Sequence, residues 1–377
     1  MAPGRANRPG ATLLGAPMPN HPDDGRLRVD DFDYRLPAAA IAQVPAEPRD
    51  AARLLILDRA RSMPGRPQLT HSTFAQLGEA LRAGDLLVAN DSRVIKARLP
   101  AQRITGGSAE VLVLRPMDDD SGRWEALVRP SRRVAVGDFV TLGNGETIEV
   151  GERLGGGTRA VRFARDPLAV MEAAGEMPLP PYIRDRSSAP ARYQTVYADP
   201  PGSAAAPTAG LHFTDRLLAE LAQRGIRRAA VTLHVGLDTF RTLEGEFIDE
   251  HQIHREWYEI PRATARAMPA ARRRGGRIVA VGTTTMRVLE TRAHGGQASG
   301  WSALYITPPY DFRVVDTLIT NFHLPRSSLL LLVTAFVQAG MRRATAFEAR
   351  DTLLAAYRTA LNEGYRFFSF GDAMLVV

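Results

Sequence analysis

Apolar positions along the chain follow two rhythms. Across residues 94–163 they alternate with polar ones in short runs, at 110–114, 124–128, 139–142, 147–150 and 159–163, divided by Gly, Asp and Asn turns. Strict alternation puts one face of each strand inside, and evenly spaced short strands predict a small antiparallel sandwich or barrel. Outside this stretch the period changes. Before it, 54–58 and 86–90 read as buried strands and 74–81 has helical spacing. After it, helical patterns at 168–174, 217–224, 263–274, 286–291, 327–336 and 346–362 alternate with strands at 229–235, 277–281 and 318–322. Pro269 should interrupt the 263–274 helix, because it lacks an N–H and its ring crowds the preceding turn. Such alternation predicts an α/β core. The expected class is therefore α/β, a larger α/β domain with a small inserted all-β barrel-like domain. The expected divisions are 26–90 with 165–377 for the first and 91–164 for the second. Residues 1–25, rich in Pro, Gly, Arg and Ala, read as a disordered leader outside the fold; the apolar patch at 11–14 is too short for a signal peptide.

Composition narrows the chemistry. There are 377 residues, 45% hydrophobic, enough for a sizeable core. The net charge of +7 favours a polyanionic partner, with Arg98, Arg103, Arg129, Arg132, Arg133 and Arg272 to Arg274 as candidate phosphate contacts or simply a solvated surface. The chain contains no cysteine, which removes disulfides, thiolate metal ligands and cysteine nucleophiles and fits a cytoplasmic protein. No apolar run approaches the roughly 20 residues of a membrane span.

Three segments carry candidate chemistry. The run Arg192-Tyr-Gln-Thr-Val-Tyr197 leads through small residues, Ala204 to Ala206, into Pro207-Thr-Ala-Gly-Leu-His212. Thr214-Asp215 then offers a helix start, so His212 should lie beside a helix N-terminus, either in a ligand pocket or packed in a tight loop. Val279-Ala-Val-Gly-Thr-Thr-Thr285 reads as strand, glycine turn, helix, with hydroxyls and free N–H groups at the helix start. It suits an anion or ligand hydroxyls, or merely a capped helix; the lysine of a P-loop is missing and no G-x-G-x-x-G fingerprint follows any strand. His234 and the Asn321-Phe-His323 run close two further strands. Strand-end clusters of this kind should converge on one rim of the sheet. His251 and His254 form H-x-x-H with no third ligand motif, and no metal site is expected.

These residues, together with Asp33-Tyr-Arg-Leu-Pro37, Gly84-Asp-Leu-Leu-Val88, Ser92-Arg-Val-Ile95, Met177-Pro-Leu-Pro-Pro-Tyr-Ile183, Val231-Thr-Leu-His-Val-Gly236, Thr320-Asn-Phe-His-Leu-Pro325 and Tyr365-Arg-Phe-Phe-Ser-Phe-Gly-Asp-Ala-Met374, resemble the S-adenosylmethionine:tRNA ribosyltransferase-isomerase family of queuosine biosynthesis. The likeness runs from about residue 30 to the end. It implies a larger α/β domain carrying a small β-barrel, usually as a monomer. It implies that S-adenosylmethionine is a consumed substrate, with no cofactor. Its ribosyl unit goes to 7-aminomethyl-7-deazaguanine at the wobble position of tRNA, in the anticodon stem-loop. Rearrangement gives epoxyqueuosine, with adenine and methionine released. The sulfonium acidifies the neighbouring C5′–H, so a base there starts the chemistry. His212, His234 and His323 are the candidate catalytic residues, the first two as general base or acid. Thr208, Gly210, Asp238, Gly282, Thr283, Thr284, Arg287 and Asn321 are the candidate substrate-binding residues. The sequence departs from the family pattern at Asp238, where a glycine is common, and at Pro309, where glycine is again common. The competing readings are a non-catalytic basic RNA-binding protein, a paralogue with a changed acceptor, and an ordinary methyltransferase, which the missing glycine-rich fingerprint disfavours.

Overall fold

The computed structural model describes residues 25–117, 122–185, 192–236 and 242–377. The leader expected over 1–25 lies outside these residues but for Gly25. The chain enters through the hairpin β1 (Arg53–Met63) and β2 (Arg66–Thr73), then a short α1 (Leu77–Ala80), β3 (Leu86–Asn90) and β4 (Arg93–Val94). Next come β5 (Arg98–Arg103), β6 (Ser108–Pro116), β7 (Arg123–Arg129), β8 (Asp138–Leu142), β9 (Thr147–Arg153) and β10 (Arg159–Phe163), followed by α2 (Pro167–Ala174). The remainder alternates: β11 (Pro201–Ser203), α3 (Asp215–Gln223), β12 (Arg227–Leu233), β13 (Glu256–Glu259), α4 (Arg262–Arg273), β14 (Ile278–Val281), α5 (Thr283–Ala293), β15 (Ser299–Ser302), β16 (Thr317–Asn321), α6 (Ser328–Gly340), α7 (Ala346–Asn362) and β17 (Ala373–Val376).

The main sheet has the order β15-β13-β12-β3-β14-β16-β17-β1-β2. Its centre, β12, β3, β14 and β16, is parallel, so these four strands end on the same rim. Both faces of that centre are covered, which is why its strands are almost continuously apolar. Leu86, Val88, Ile278, Ala280 and Leu318 enter one core with α6 and α7. Their alternates Leu87, Ala89, Val279, Val281 and Ile319 enter another with Phe74, Phe213 and α3. The order β10-β7-β6-β5-β8-β9 closes a separate barrel, filled by alternate residues such as Val111, Val113, Ala126, Val140, Ile148 and Val161. Val170 and Met171 of α2 pack against that filling, the helix being started by Asp166, whose carboxylate accepts from the N–H groups of Leu168 and Ala169.

The expected class, an α/β body with a small all-β barrel, is the one observed. Two local expectations differ. The 262–273 helix is not interrupted by Pro269. The proline is exposed and so is Ala265, four residues before it, so the carbonyl left without an N–H partner faces water. The strands β15, at the sheet edge, and β13, next to it, are only four residues each and carry too little periodicity to be read from sequence.

Candidate active site

At the end of β14 the chain turns through Gly282, whose φ of 90° is one that a side chain would oppose. Gly282 offers no side-chain cap to α5, so the first-turn N–H groups, from Thr283 onward, have no intrahelical partner and carry the positive end of the helix dipole. Beside it β16 ends at Asn321. Gly282, Thr283, Thr284, Asn321, His323 and Thr208 line one cavity of about 60 Å³. That volume accommodates about two water molecules or one functional group, not a whole nucleoside.

Asn321 is the hub of this wall. Its Oδ1 accepts from the Thr208 hydroxyl at 3.0 Å, and its Nδ2 donates to the Phe368 carbonyl at 3.2 Å and to His212 Nε2 at 3.1 Å. With the amide so oriented, His212 Nε2 is an acceptor and its proton sits on Nδ1. His212 itself is buried against the Phe74 ring, behind the wall rather than on it. His323 is on the wall, its Nε2 at 2.8 Å from Thr320 Oγ1 and its backbone N–H donating to Tyr357 Oη at 3.1 Å. Phe368, which also lines the cavity, has φ 70°, a left-handed backbone that phenylalanine adopts only when surroundings enforce it. Gly210 is not at the cavity; a Cβ there would meet the Tyr197 hydroxyl at 2.3 Å, so its smallness serves packing.

The strand end of β12 separates this cavity from a larger cleft. Val235 lines the cavity, whereas its neighbours His234 and Gly236 line a space of about 510 Å³ between the main sheet and the barrel. His234 lies between Gly202, where a Cβ would come within 2.6 Å of the ring, and Trp257, on which it stacks with centroids 5.0 Å apart. Arg287, on α5, does not line the cavity. Its guanidinium donates through Nη1 to Glu256 Oε2 at 2.5 Å and through Nε to the Leu304 carbonyl at 3.2 Å. Glu256 Oε1 accepts from the Gly236 N–H at 3.1 Å and stands 3.2 Å from His254 Nε2. Burial alone would raise the Glu256 pKa, but Arg287, His254 and the Gly236 N–H outweigh it and hold it at about 2. Among the described residues no group of three His, Asp or Glu side chains is placed to hold a metal ion. Asp238 lies outside the described residues.

Burial depresses all three candidate histidines: His212 to about 3, with Arg366 and Arg49 adding to the effect, His323 to about 3 and His234 to about 4. Each is therefore neutral at pH 7. Unfolding exposes a normal imidazole that takes up a proton below about pH 6.5, so stability is full above that value and falls as pH drops. Each histidine contributes a slope of up to about 1.4 kcal/mol per pH unit. A thermal melt is expected to drop between pH 7 and pH 5; a midpoint that is flat over that range would contradict the buried neutral assignment.

Over residues 29–376 the chain matches the family described as "Queuosine biosynthesis protein". The chain belongs to that family. It is 49% identical over 362 residues to S-adenosylmethionine:tRNA ribosyltransferase-isomerase of Moorella thermoacetica, covering 93% of this chain and all of that one. It is 50% identical over 368 residues to the protein of the same name from Gloeobacter violaceus, covering 95% and 98%. A crystal structure of S-adenosylmethionine tRNA ribosyltransferase from Thermotoga maritima matches it with TM-score 0.52 and 37% identity, over 92% of this chain and all of that one.

The structure brings together Thr208, Gly282, Thr283, Thr284, Asn321 and His323. It leaves His212 and Gly210 behind the wall, and His234 and Arg287 to one side. Sequence reading missed Tyr182 and Ser369, joined at 2.7 Å and both on the cavity, and missed Glu256 as the partner of Arg287. The Tyr365-Arg-Phe-Phe-Ser-Phe-Gly run did signal the segment that carries Ser369, but not which of its residues turns to the cavity.

Proposed function

We propose that this chain is an S-adenosylmethionine:tRNA ribosyltransferase-isomerase, which moves the ribosyl unit of S-adenosylmethionine onto 7-aminomethyl-7-deazaguanine at the tRNA wobble position and isomerises it, releasing adenine and methionine. The observation that carries this reading is the meeting of the uncapped α5 start, Gly282-Thr283-Thr284, with Thr208, Asn321 and His323 at the parallel strand ends, in a chain that matches relatives of that name over 98–100% of their length. Free N–H groups and hydroxyls there hydrogen-bond the donor's carboxylate or ribose hydroxyls and orient it. His323 on the cavity and His234 on the cleft are neutral at pH 7, so either accepts a proton from the carbon beside the sulfonium without first losing one. Their depressed pKa values also make both weak bases, so proximity to the acidic carbon, rather than basicity, has to carry the step. His212 acts through Asn321, holding the amide so that Thr208 is fixed at the cavity.

S-adenosylmethionine is consumed as a substrate, and no further cofactor is invoked. The reading extends to a monomer acting in the cytoplasm on the anticodon stem-loop, with residues 91–164 as a unit inserted into an α/β body formed by 26–90 and 165–377, and with Asp238 near the donor. Among the described residues, no helix is long and apolar enough to cross a membrane. Isotope placement tests the reaction. With donor labelled in the ribose, label is expected to enter tRNA bearing the acceptor base; with donor labelled in the methyl group it is not. Methyl label in tRNA would instead establish a methyltransferase.

A further inference from the structure

The register of the sheet edge places three aromatic rings in a row. Leu233 of β12 pairs with Tyr258 of β13, and both side chains enter the core. The next residue along each strand therefore faces the other way: His234 lies opposite Trp257, with a backbone bond from His234 N to the Trp257 carbonyl at 3.0 Å. Trp257 in turn pairs with Trp301 of β15. His234, Trp257 and Trp301 thus form a cross-strand ladder, and all three line the 510 Å³ cleft. Trp257 and Trp301 are only half-buried. His234 covers one face of Trp257, but among the described residues Trp301 has no aromatic partner. Its ring is met by the guanidinium groups of Arg115, at 5.1 Å, and Arg255, at 5.9 Å. A second space of about 710 Å³ continues the cleft, sharing Arg115, Met117, Glu125, His254 and Trp301. The carboxylates in this groove are both engaged by arginines, Glu125 by Arg115 and Glu256 by Arg287, in a chain of net charge +7.

Aromatic plates beside arginines, in a groove longer than one nucleoside, are what unstacked nucleotides of an RNA loop require: a π-face for each base and cations for the backbone. We propose that the ladder is a stacking platform for an unpaired base of the RNA substrate, with Trp301 as its outer plate and Arg255 at the adjoining backbone. This rests on the proposed function for the identity of the RNA and goes beyond it in saying where a base is seated. The adenine of the donor is the other nucleobase that such a plate would accept, but it would leave the contiguous second space and the arginines unused.

The chain's own tryptophans report on the platform. Of the three, two are in the ladder, and the third, Trp124, is buried in the barrel with no hydrogen-bond partner for its Nε1 among the described residues, so Trp124→Phe breaks no hydrogen bond to any of them. In W124F, titration with an RNA hairpin of anticodon stem-loop size is expected to quench the remaining fluorescence, and a blunt RNA duplex is not. Trp301→Ala in the otherwise native chain is expected to raise the hairpin Kd about tenfold or more, from the usual contribution of one stacked base, with Trp301→Phe restoring most of it. S-adenosylmethionine binding, followed by equilibrium dialysis, should remain within about twofold of the native chain. Native-like hairpin affinity in a folded Trp301→Ala protein would overturn the platform, and a loss confined to S-adenosylmethionine would reassign it to the donor's adenine. Adenine release by the native chain separates the two claims: its absence sinks the proposed function, whereas its presence with unchanged hairpin affinity in Trp301→Ala sinks the platform alone.

Discussion

Replacing Asn321 with alanine is expected to reduce kcat by about 100-fold or more, well beyond any loss of folded protein. Asn321 is 3% exposed and joins Thr208, His212 and the Phe368 carbonyl by three hydrogen bonds. Its removal leaves a buried imidazole nitrogen and a buried carbonyl without that donor, at about 1–3 kcal/mol for each unsatisfied group. It also frees Thr208, on the cavity, to turn. A displacement of about 1 Å among positioning groups is enough for a 100-fold loss of rate. Asn321→Asp separates the effects, because it keeps the acceptor for Thr208 while losing the donors to His212 and Phe368. The measurement is single-turnover rate beside a thermal melt. A folded Asn321→Ala protein with native kcat would remove Asn321 from the site.

The second large effect is on stability. Glu256→Ala is expected to destabilise the fold by about 3–5 kcal/mol, because it leaves the buried guanidinium of Arg287 without its counter-charge. Arg287 is 3% exposed and Glu256 2%, so the intact pair is largely shielded from water. The Gly236 N–H loses its acceptor as well, next to His234 on the cleft. The pair also sets an acid limit. Glu256 is held at about 2 in the fold against an ordinary 4.5, so its contribution is present above about pH 4.5 and is lost as pH falls towards 2. Glu256→Gln should therefore be less stable than the native chain at pH 7 and approach it at low pH. Urea unfolding at both pH values checks this; equal stabilities of the two chains at pH 7 would show that the charge of Glu256 contributes nothing to stability.

What the sequence revealed depended on whether the cause was local. The strand, glycine and helix of 279–290 were legible because tight turning and a free helix start are properties of adjacent residues. The barrel was legible because alternation with a period of two survives in each strand, although β5, with Pro100 on an outward position, gave no clear signal. The meeting of Gly282 with Asn321 and His323 followed from the rule that parallel strands end on one rim. The rest needed long-range contact. Nothing near His212 in the chain indicates that Asn321, 109 residues away, stands between it and the cavity. Glu256 and Arg287 are 31 residues apart, in segments whose pairing no periodicity states. The aromatic ladder exists only through register, and a shift of one residue in β13 would turn Trp257 to the opposite face. The left-handed φ of Phe368 is likewise imposed by its neighbours rather than permitted by its own side chain.

The central claim is that the donor gives up its ribosyl unit to RNA. Its most direct test is to incubate the chain with S-adenosylmethionine and tRNA carrying 7-aminomethyl-7-deazaguanine, then measure free adenine and the mass of the digested nucleoside together. The expected result is one adenine and one methionine released for each acceptor base consumed, with the nucleoside heavier by the ribosyl-derived unit. Formation of S-adenosylhomocysteine with a nucleoside heavier only by a methyl group, or an unchanged nucleoside with no adenine released, would contradict it.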